Sequence, residues 1–277
     1  MTIAKHIAAL FAVLMVLFFS ATLSTAESLR ITSRSAILMD MTTDRVLFAH
    51  NADAAIQPAS ITKVLSLYVA DEAIREGEVH PRDPVKISRK AGRTGGSKMF
   101  LQAGSELPLE ELLKGMAVVS ANDASVAVAE YIGGDTEKFV ERMNRRAREL
   151  GMYKSYFRNP NGLPAKGQVT TAKDMLILAR AYLQRFPESL NIHSQQYYTY
   201  RDITQHNRNS LLHRYPNADG LKTGWVQKAG YHIVATAKRG DTRLIAVVMG
   251  AKNPKIRAKE TERLLDEGFR MMQEQHG

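Results

Sequence analysis

The sequence predicts an α+β domain: an antiparallel sheet flanked by helices, with a helical subdomain inserted between its strands. Three observations carry that expectation. Short apolar runs bounded by turn residues stand at both ends of the chain, "AILM" and "VLFA" early, "YHIVATA" and "TRLIAVVMG" late. Between them, apolar residues recur at three- and four-residue spacing, the mark of helices with one buried face. No internal repeat, low-complexity tract or Pro/Ser-rich linker divides the chain. Strands from both termini are therefore expected to share one sheet, leaving a crevice against the helical part.

Taken in order, residues 1 to 26 are expected to lie outside the fold. Lys5 and His6 precede the apolar run "IAALFAVLMVLFF", and small residues ending in Ser24, Thr25 and Ala26 follow. Charged start, apolar centre and small-residue cleavage site are the order of a secretory signal, with a retained N-terminal anchor as the competing reading. The run is short for a bilayer-spanning helix, which needs about 20 residues. Strands are expected near Ala36 to Met39 and Val46 to Ala49, joined by the polar turn Thr42, Thr43 and Asp44. "QPASITKVLSLYVA", residues 57–70, enters a helix that Gly77 stops. Pro108 with Glu110 and Glu111 opens another, carrying Leu112, Leu113 and Met116 on one side, and "SANDASVAVAEYIGG" leads into a third. Thr171 with Asp174 resembles a capping box ahead of Met175, Leu178, Tyr182 and Phe186, and Pro187 ends that helix. A hairpin across Lys238 to Asp241 joins the two late strands, and a last helix contains Leu264, Leu265, Phe269 and Met272.

The formal net charge of +10 raises a nucleic-acid reading. The excess is scattered, and its densest cluster, "ERMNRRARELG" at 141–151, alternates with Phe139, Val140, Met143, Ala147 and Leu150 at helical spacing. That is a solvated helix face opposite a core face. Together with the export signal it points away from nucleic acid, leaving weak attraction to anionic envelope polymers. The chain has no cysteine, which excludes disulfides, thiol catalysis and a lipoprotein anchor. About 250 residues after the signal are enough for one domain held by its own core. Among the eight His there is no H-E-x-x-H or comparable pair, so no metal site and no cofactor are expected.

Three short motifs carry chemistry. Ser60 and Lys63 are three residues apart, on neighbouring positions of one helix face. A serine hydroxyl attacks only once its proton is removed, and a lysine in a dry crevice near other cations loses proton affinity and can remove it. Ser120 and Asn122, in "SAN", put a hydroxyl and a carboxamide on a tight connection, able to relay a proton and bond a substrate amide. In "DGLKTGW", Lys222 supplies charge, Thr223 a hydroxyl, and Gly224 room for another backbone. On an exposed edge strand, an extended peptide could pair with this segment and have its terminal carboxylate held there. Taken singly, each also fits plain structure: an N-cap serine before a surface lysine, an ordinary turn, a hairpin turn.

In the order S-x-x-K, S-x-N, K-T-G, the motifs resemble the penicillin-interacting serine enzymes. Within that group the chain is similar to the low-molecular-mass D-alanyl-D-alanine carboxypeptidases from about Ser35 to Phe269. Stretches such as "PASITKVL", "GGSKMFLQAG", "GMAVVSANDASVAVAE", "FRNPNGLP", "HNRNSLL" and "DGLKTGW" carry the likeness. The resemblance implies a β-lactamase/transpeptidase-like fold. It implies Ser60 as nucleophile, Lys63 as its base and Ser120 as proton relay. Asn122 would bind the substrate amide, Lys222 and Thr223 the terminal carboxylate, with Arg208 assisting. The backbone N–H groups of Ser60 and Trp225 would form the oxyanion hole. Trp225 could stack on substrate or cover the edge strand. The implied reaction removes the last D-alanine from peptidoglycan stem pentapeptides through an acyl-enzyme, with β-lactams acylating the same serine.

The same resemblance frames the alternatives. A D,D-endopeptidase of the family would use the same residues on cross-links. A serine β-lactamase shares the motifs, but the E-x-x-L-N pattern of its deacylating glutamate is one residue out of register in "PESLN", residues 187–191, where Pro187 holds the required position. A non-catalytic wall-binding module would have been signalled by loss of Ser60, Lys63 or Lys222. Many family members continue past "GFR" into an all-β domain and a membrane anchor. With Gly277 soon after Arg270, the expectation is a catalytic domain over 27–277 without either, free in the periplasm or secreted.

Overall fold

The computed structural model describes residues 29–274, so the expected signal at 1–26 lies outside the described residues. The early apolar runs pair as β1 (Ser35–Asp40) and β2 (Arg45–His50). Asp40 fixes their turn, accepting from the backbone N–H of Thr42 at 2.9 Å and of Thr43 at 3.2 Å. A 3-10 turn, Ala59–Thr62, leads into α1 (Lys63–Arg75). Val64, Leu65, Leu67, Tyr68, Val69 and Ala70 are all buried, as are Lys63, Ser66 and Glu72, so this helix is enclosed nearly all round. It stops where Gly77, at φ +75°, allows the N–H of Glu78 to reach the carbonyl of Ala73 and its own N–H that of Ile74.

The helical part follows: β3 (Pro84–Lys86), α2 (Arg89–Gly92), β4 (Glu106–Pro108), α3 (Leu109–Val118), α4 (Asn122–Gly133), α5 (Thr136–Glu149) and α6 (Ala172–Arg185). Phe139, Met143 and Ala147 of α5 are buried, as their spacing predicts. The Thr171 hydroxyl caps α6 by accepting from Asp174 N–H at 3.0 Å, but the Asp174 carboxylate accepts from Lys154 N–H and Ser155 Oγ, so only half of a capping box forms. A 3-10 turn at Pro187–Ser189, α7 (Leu190–His193), the hairpin β5 (Tyr197–Tyr200) to β6 (Ile203–His206), and α8 (Leu211–Arg214) lead back to the sheet. β7 (Ala218–Val226), β8 (Gly230–Arg239), β9 (Thr242–Ala251) and α9 (Pro254–Glu274) close the chain.

Five strands form one antiparallel sheet in the order β2-β1-β9-β8-β7. Strands from both ends of the sequence thus share it, and β7 is left as an edge. Residues Leu244 to Met249 of β9 are fully buried, because both faces are covered. Ile37, Ile245, Val247 and Met249 join the large core under α1 and α6, while Leu38 and Leu244 pack against Gly268 of α9. The architecture is α+β, as predicted. The two-stranded pieces β3–β4 and β5–β6 were not foreseen; at three or four residues they are too short to show a period.

Candidate active site

The nucleophile candidate stands on a constrained turn. Ser60 was expected at a helix start; it lies instead in the 3-10 turn before α1, and no side chain caps that turn. Ala59 is held at φ +49°, a left-handed conformation that costs a residue with a Cβ about 1 kcal/mol or more. Two glycines make the packing around it possible. A Cβ on Gly162 would stand 1.8 Å from the Ala59 carbonyl oxygen, and one on Gly224 3.1 Å from the backbone nitrogens of Ser60 and Ile61. The turn is thus clamped between β7 and the loop carrying Gly162, with Gly224 facing the Ser60 N–H.

Lys63 begins the buried helix and is itself fully buried. Its Nζ donates to Ser60 Oγ at 3.1 Å, to Asn122 Oδ1 at 2.6 Å and to the Asn161 carbonyl at 2.8 Å. All three acceptors are uncharged. Desolvation therefore drives the ammonium well below the usual lysine range, the Lys222 charge adds to this, and Asp123 opposes it. One helical turn on, Ser66 Oγ donates to the Pro160 carbonyl at 2.6 Å. Lys63 and Ser66 thus hold the 160–162 loop from one face of α1.

The "SAN" residues sit where α3 gives way to α4. Ser120 is buried at φ +64°. Asn122 is engaged on both sides of its amide, accepting from Lys63 and donating from Nδ2 to the Gly95 carbonyl at 2.8 Å. Asp123, fully buried, accepts from the backbone N–H groups of Met99, Leu101 and Ala124. It ties the loop over 97–101 to the start of α4, and so fixes Asn122 against Lys63.

The K-T-G segment lies in β7, not in a hairpin turn. Lys222 is buried, and its Nζ donates to the Thr223 carbonyl at 3.0 Å. Burial, then the charges of Arg257 and Arg208, bring its pKa down to about 7. Among the described residues no carboxylate offsets these charges at Lys222, an arrangement chemically suited to an anion. Thr223 is buried beside Lys222, whereas Trp225 is 55% exposed with its ring 5.8 Å from that of Tyr231 on β8. Arg208 is exposed and bonds Gln205, while its neighbours Asn207 and Asn209 fasten the backbone, Asn209 Nδ2 donating to Gly220 O at 3.1 Å.

Three further groups contribute. Arg257 of α9 is buried, with Nε lacking a partner and its pKa lowered to about 10 by desolvation. In "NPKIRAKE" it reads as one more surface cation. His193 is held near 4 by burial, hence neutral, and bonds the Leu221 carbonyl through Nδ1 at 3.0 Å, steadying β7 beside Lys222. His232, also near 4 through burial, accepts at Nδ1 from Gly250 N–H and therefore donates from Nε2 to Gln57 O at 3.0 Å. That bond anchors the approach to Ser60. No signal in the sequence separates these groups from scattered His and Arg. Glu188, the out-of-register glutamate of "PESLN", is exposed and paired with Arg75 at 3.3 Å.

The sequence profile of the D-alanyl-D-alanine carboxypeptidase family, serine peptidase family S11, matches residues 22–253. The chain belongs to this family. It is 40% identical over 256 residues to the D-alanyl-D-alanine carboxypeptidase DacC of Escherichia coli, a match covering 90% of this chain and 64% of that protein. It spans less than two thirds of that relative's length. Among solved structures, penicillin binding protein 5 from Haemophilus influenzae superposes with a TM-score of 0.84 at 40% identity, over 87% of this chain and 71% of the other. Penicillin-binding protein D2 from Listeria monocytogenes, solved in an ampicillin-bound form, gives 0.80 at 28% identity, over 87% and 98%. The expected β-lactamase/transpeptidase-like fold and family are thereby shown. No helix among the described residues is long and apolar enough to cross a membrane.

Proposed function

We propose that this chain is a serine D-alanyl-D-alanine carboxypeptidase acting on peptidoglycan stem pentapeptides in the cell envelope. The observation that carries the reading is the 3.1 Å contact between Ser60 Oγ and a buried Lys63 whose pKa is driven down, beside the edge of a strand whose lysine feels the charges of two further cations. The peptide pairs along β7 with its terminal carboxylate at Lys222 and Thr223, Arg208 and Arg257 adding charge. Neutral Lys63 takes the Ser60 proton as Oγ attacks the carbonyl between the two D-alanines. The oxyanion forms between the N–H groups of Ser60 and Trp225, an arrangement that contributes several kcal/mol. Collapse expels D-alanine, which receives the proton through Lys63 and Ser120; water, activated by the same base, then releases the shortened peptide. Asn122 bonds the substrate amide in exchange for part of its bond with Lys63.

The family relation and the ampicillin-bound relative support Ser60 as the group that β-lactams acylate. The basic signal-like start supports export, to the periplasm or beyond. Incubating the mature chain with a stem pentapeptide and, separately, with a cross-linked dimer tests the reaction. Mass spectrometry should show loss of one alanine from the first and no change in the second. Conversion of dimer to monomers would make it an endopeptidase, and no change in either would leave a binding module.

A further inference from the structure

Beyond Trp225 the end of β7 borders a cavity of about 400 Å3 that the reaction above does not use. Val226, Gln227 and Lys228 line it from the strand and its turn, Lys166 from the loop after Gly162, and Gln57 from the approach to Ser60. Among the described residues, no acidic side chain lines it. Lys166 and Lys228 are exposed, and neither pairs with a carboxylate among the described residues. Lys90, Lys114, Lys138 and Lys154, by contrast, all do. The frame around these lysines is fixed: Ala229 N–H closes the turn on Val226 O at 3.1 Å, and His232 holds Gln57 O.

Strand direction places this cavity relative to the reacting bond. A peptide whose carboxylate lies at Lys222 and whose reacting carbonyl lies between Ser60 and Trp225 runs antiparallel to β7. Its earlier residues then continue past Val226 toward Lys228. At about 3.3 Å per residue, the position two residues upstream of the acylating one lies about 7 Å further along the edge, at the mouth of the cavity.

We propose that this cavity is a subsite for a carboxylate carried two residues upstream of the residue that acylates Ser60, with Lys166 and Lys228 as its specificity determinants. The proposal rests on the carboxypeptidase reading. The donor strand supplies backbone hydrogen bonds of any sequence; the two ammonium groups add a preference for an acidic peptide, whether the acid comes from a side chain or from a free main-chain carboxyl.

The test compares peptides ending in D-Ala–D-Ala that differ only in an acid or its amide at that position, in side-chain and main-chain versions, together with a pair carrying the change one residue upstream. The readout is the ratio of kcat/KM for acid over amide at low ionic strength, in wild type, Lys166→Gln/Lys228→Gln and Lys166→Glu/Lys228→Glu. Wild type should favour the acid about tenfold at the second position. The neutral double variant should bring the ratio close to one and the acidic variant should invert it, while 0.5 M salt should shrink the wild-type preference. Labelled penicillin and a melting curve check that each variant is folded. A wild-type ratio of one, a preference confined to the first upstream position, or a preference that survives both substitutions overturns the subsite. If wild type releases alanine from none of these peptides, the carboxypeptidase reading fails and the subsite with it; release without preference removes only the subsite.

Discussion

Gly224→Ala tests whether the gap between β7 and the nucleophile turn sets the rate. The new Cβ would stand 3.1 Å from Ala59 Cβ and from the backbone nitrogens of Ser60 and Ile61. Ordinary contact is about 0.3–0.5 Å longer, so strand and turn must part by that amount. Both proposed oxyanion donors lie on the two sides of this gap, and such donors act only at 2.7–3.1 Å from the developing charge. Each is worth about 3–4 kcal/mol when removed outright; stretching one by half an ångström should forfeit about half of that. At 1.36 kcal/mol per decade, kcat should fall roughly 10–30-fold. The fold should survive, since the contact is tight without overlapping and φ at Gly224 is not in the left-handed region. Alanine release from a stem pentapeptide gives kcat, the rate of penicillin acylation gives an independent measure of the first step, and a melting curve monitors stability. A variant with kcat within twofold of wild type would refute the argument. So would one whose loss of rate is matched by unfolding.

Gly162→Ala, on the opposite side of the same turn, should be far worse: its Cβ would overlap the Ala59 carbonyl and its φ is +82°. Destabilisation of about 3 kcal/mol or more is expected, read as a lower denaturation midpoint, and a normal midpoint would contradict the packing. Ser60→Ala should fold normally and form no covalent penicillin adduct by mass spectrometry; a retained adduct would remove Ser60 as nucleophile. The pKa of Lys222 near 7 predicts that kcat/KM for carboxylate-ended peptides declines as pH rises above about 7, because the cation that binds the carboxylate is lost. Acylation by a neutral sulfonyl fluoride should lack that limb, and a flat peptide profile from pH 7 to 9 would reject the assignment. The folded value lies below the unfolded one, so between about pH 7 and 10.4 the unfolded chain binds more protons and this group's contribution to stability increases with pH. Glu72 is fully buried between Arg146 at 2.7 Å and Arg185 at 3.2 Å; Glu72→Ala should cost about 3 kcal/mol and lower Tm by roughly 6–12 °C, with alanine release at 25 °C little changed.

The sequence by itself determined the α+β class, the pairing of strands from the two ends, the helix boundaries at Gly77, Pro108 and Pro187, and the three motifs. These are local properties: apolar period, turn chemistry and spacing are written in consecutive residues. Ser60 and Lys63 could be paired on paper because a helical step of three brings them together whatever surrounds them. Tertiary structure alone decided the rest. It put Ser60 in a 3-10 turn where a helix start was expected, and packed that turn closely against Gly162 and Gly224, about 100 and 160 residues away. It placed Asn122 on Lys63 across 59 residues and brought the charge of Arg257, on the last helix, within electrostatic reach of Lys222, though in sequence each resembles any surface polar group. The lysine pKa values fall, to about 7 at Lys222, through the water each lysine loses and the charges it meets. Both are set by packing between distant segments, which no stretch of consecutive residues records.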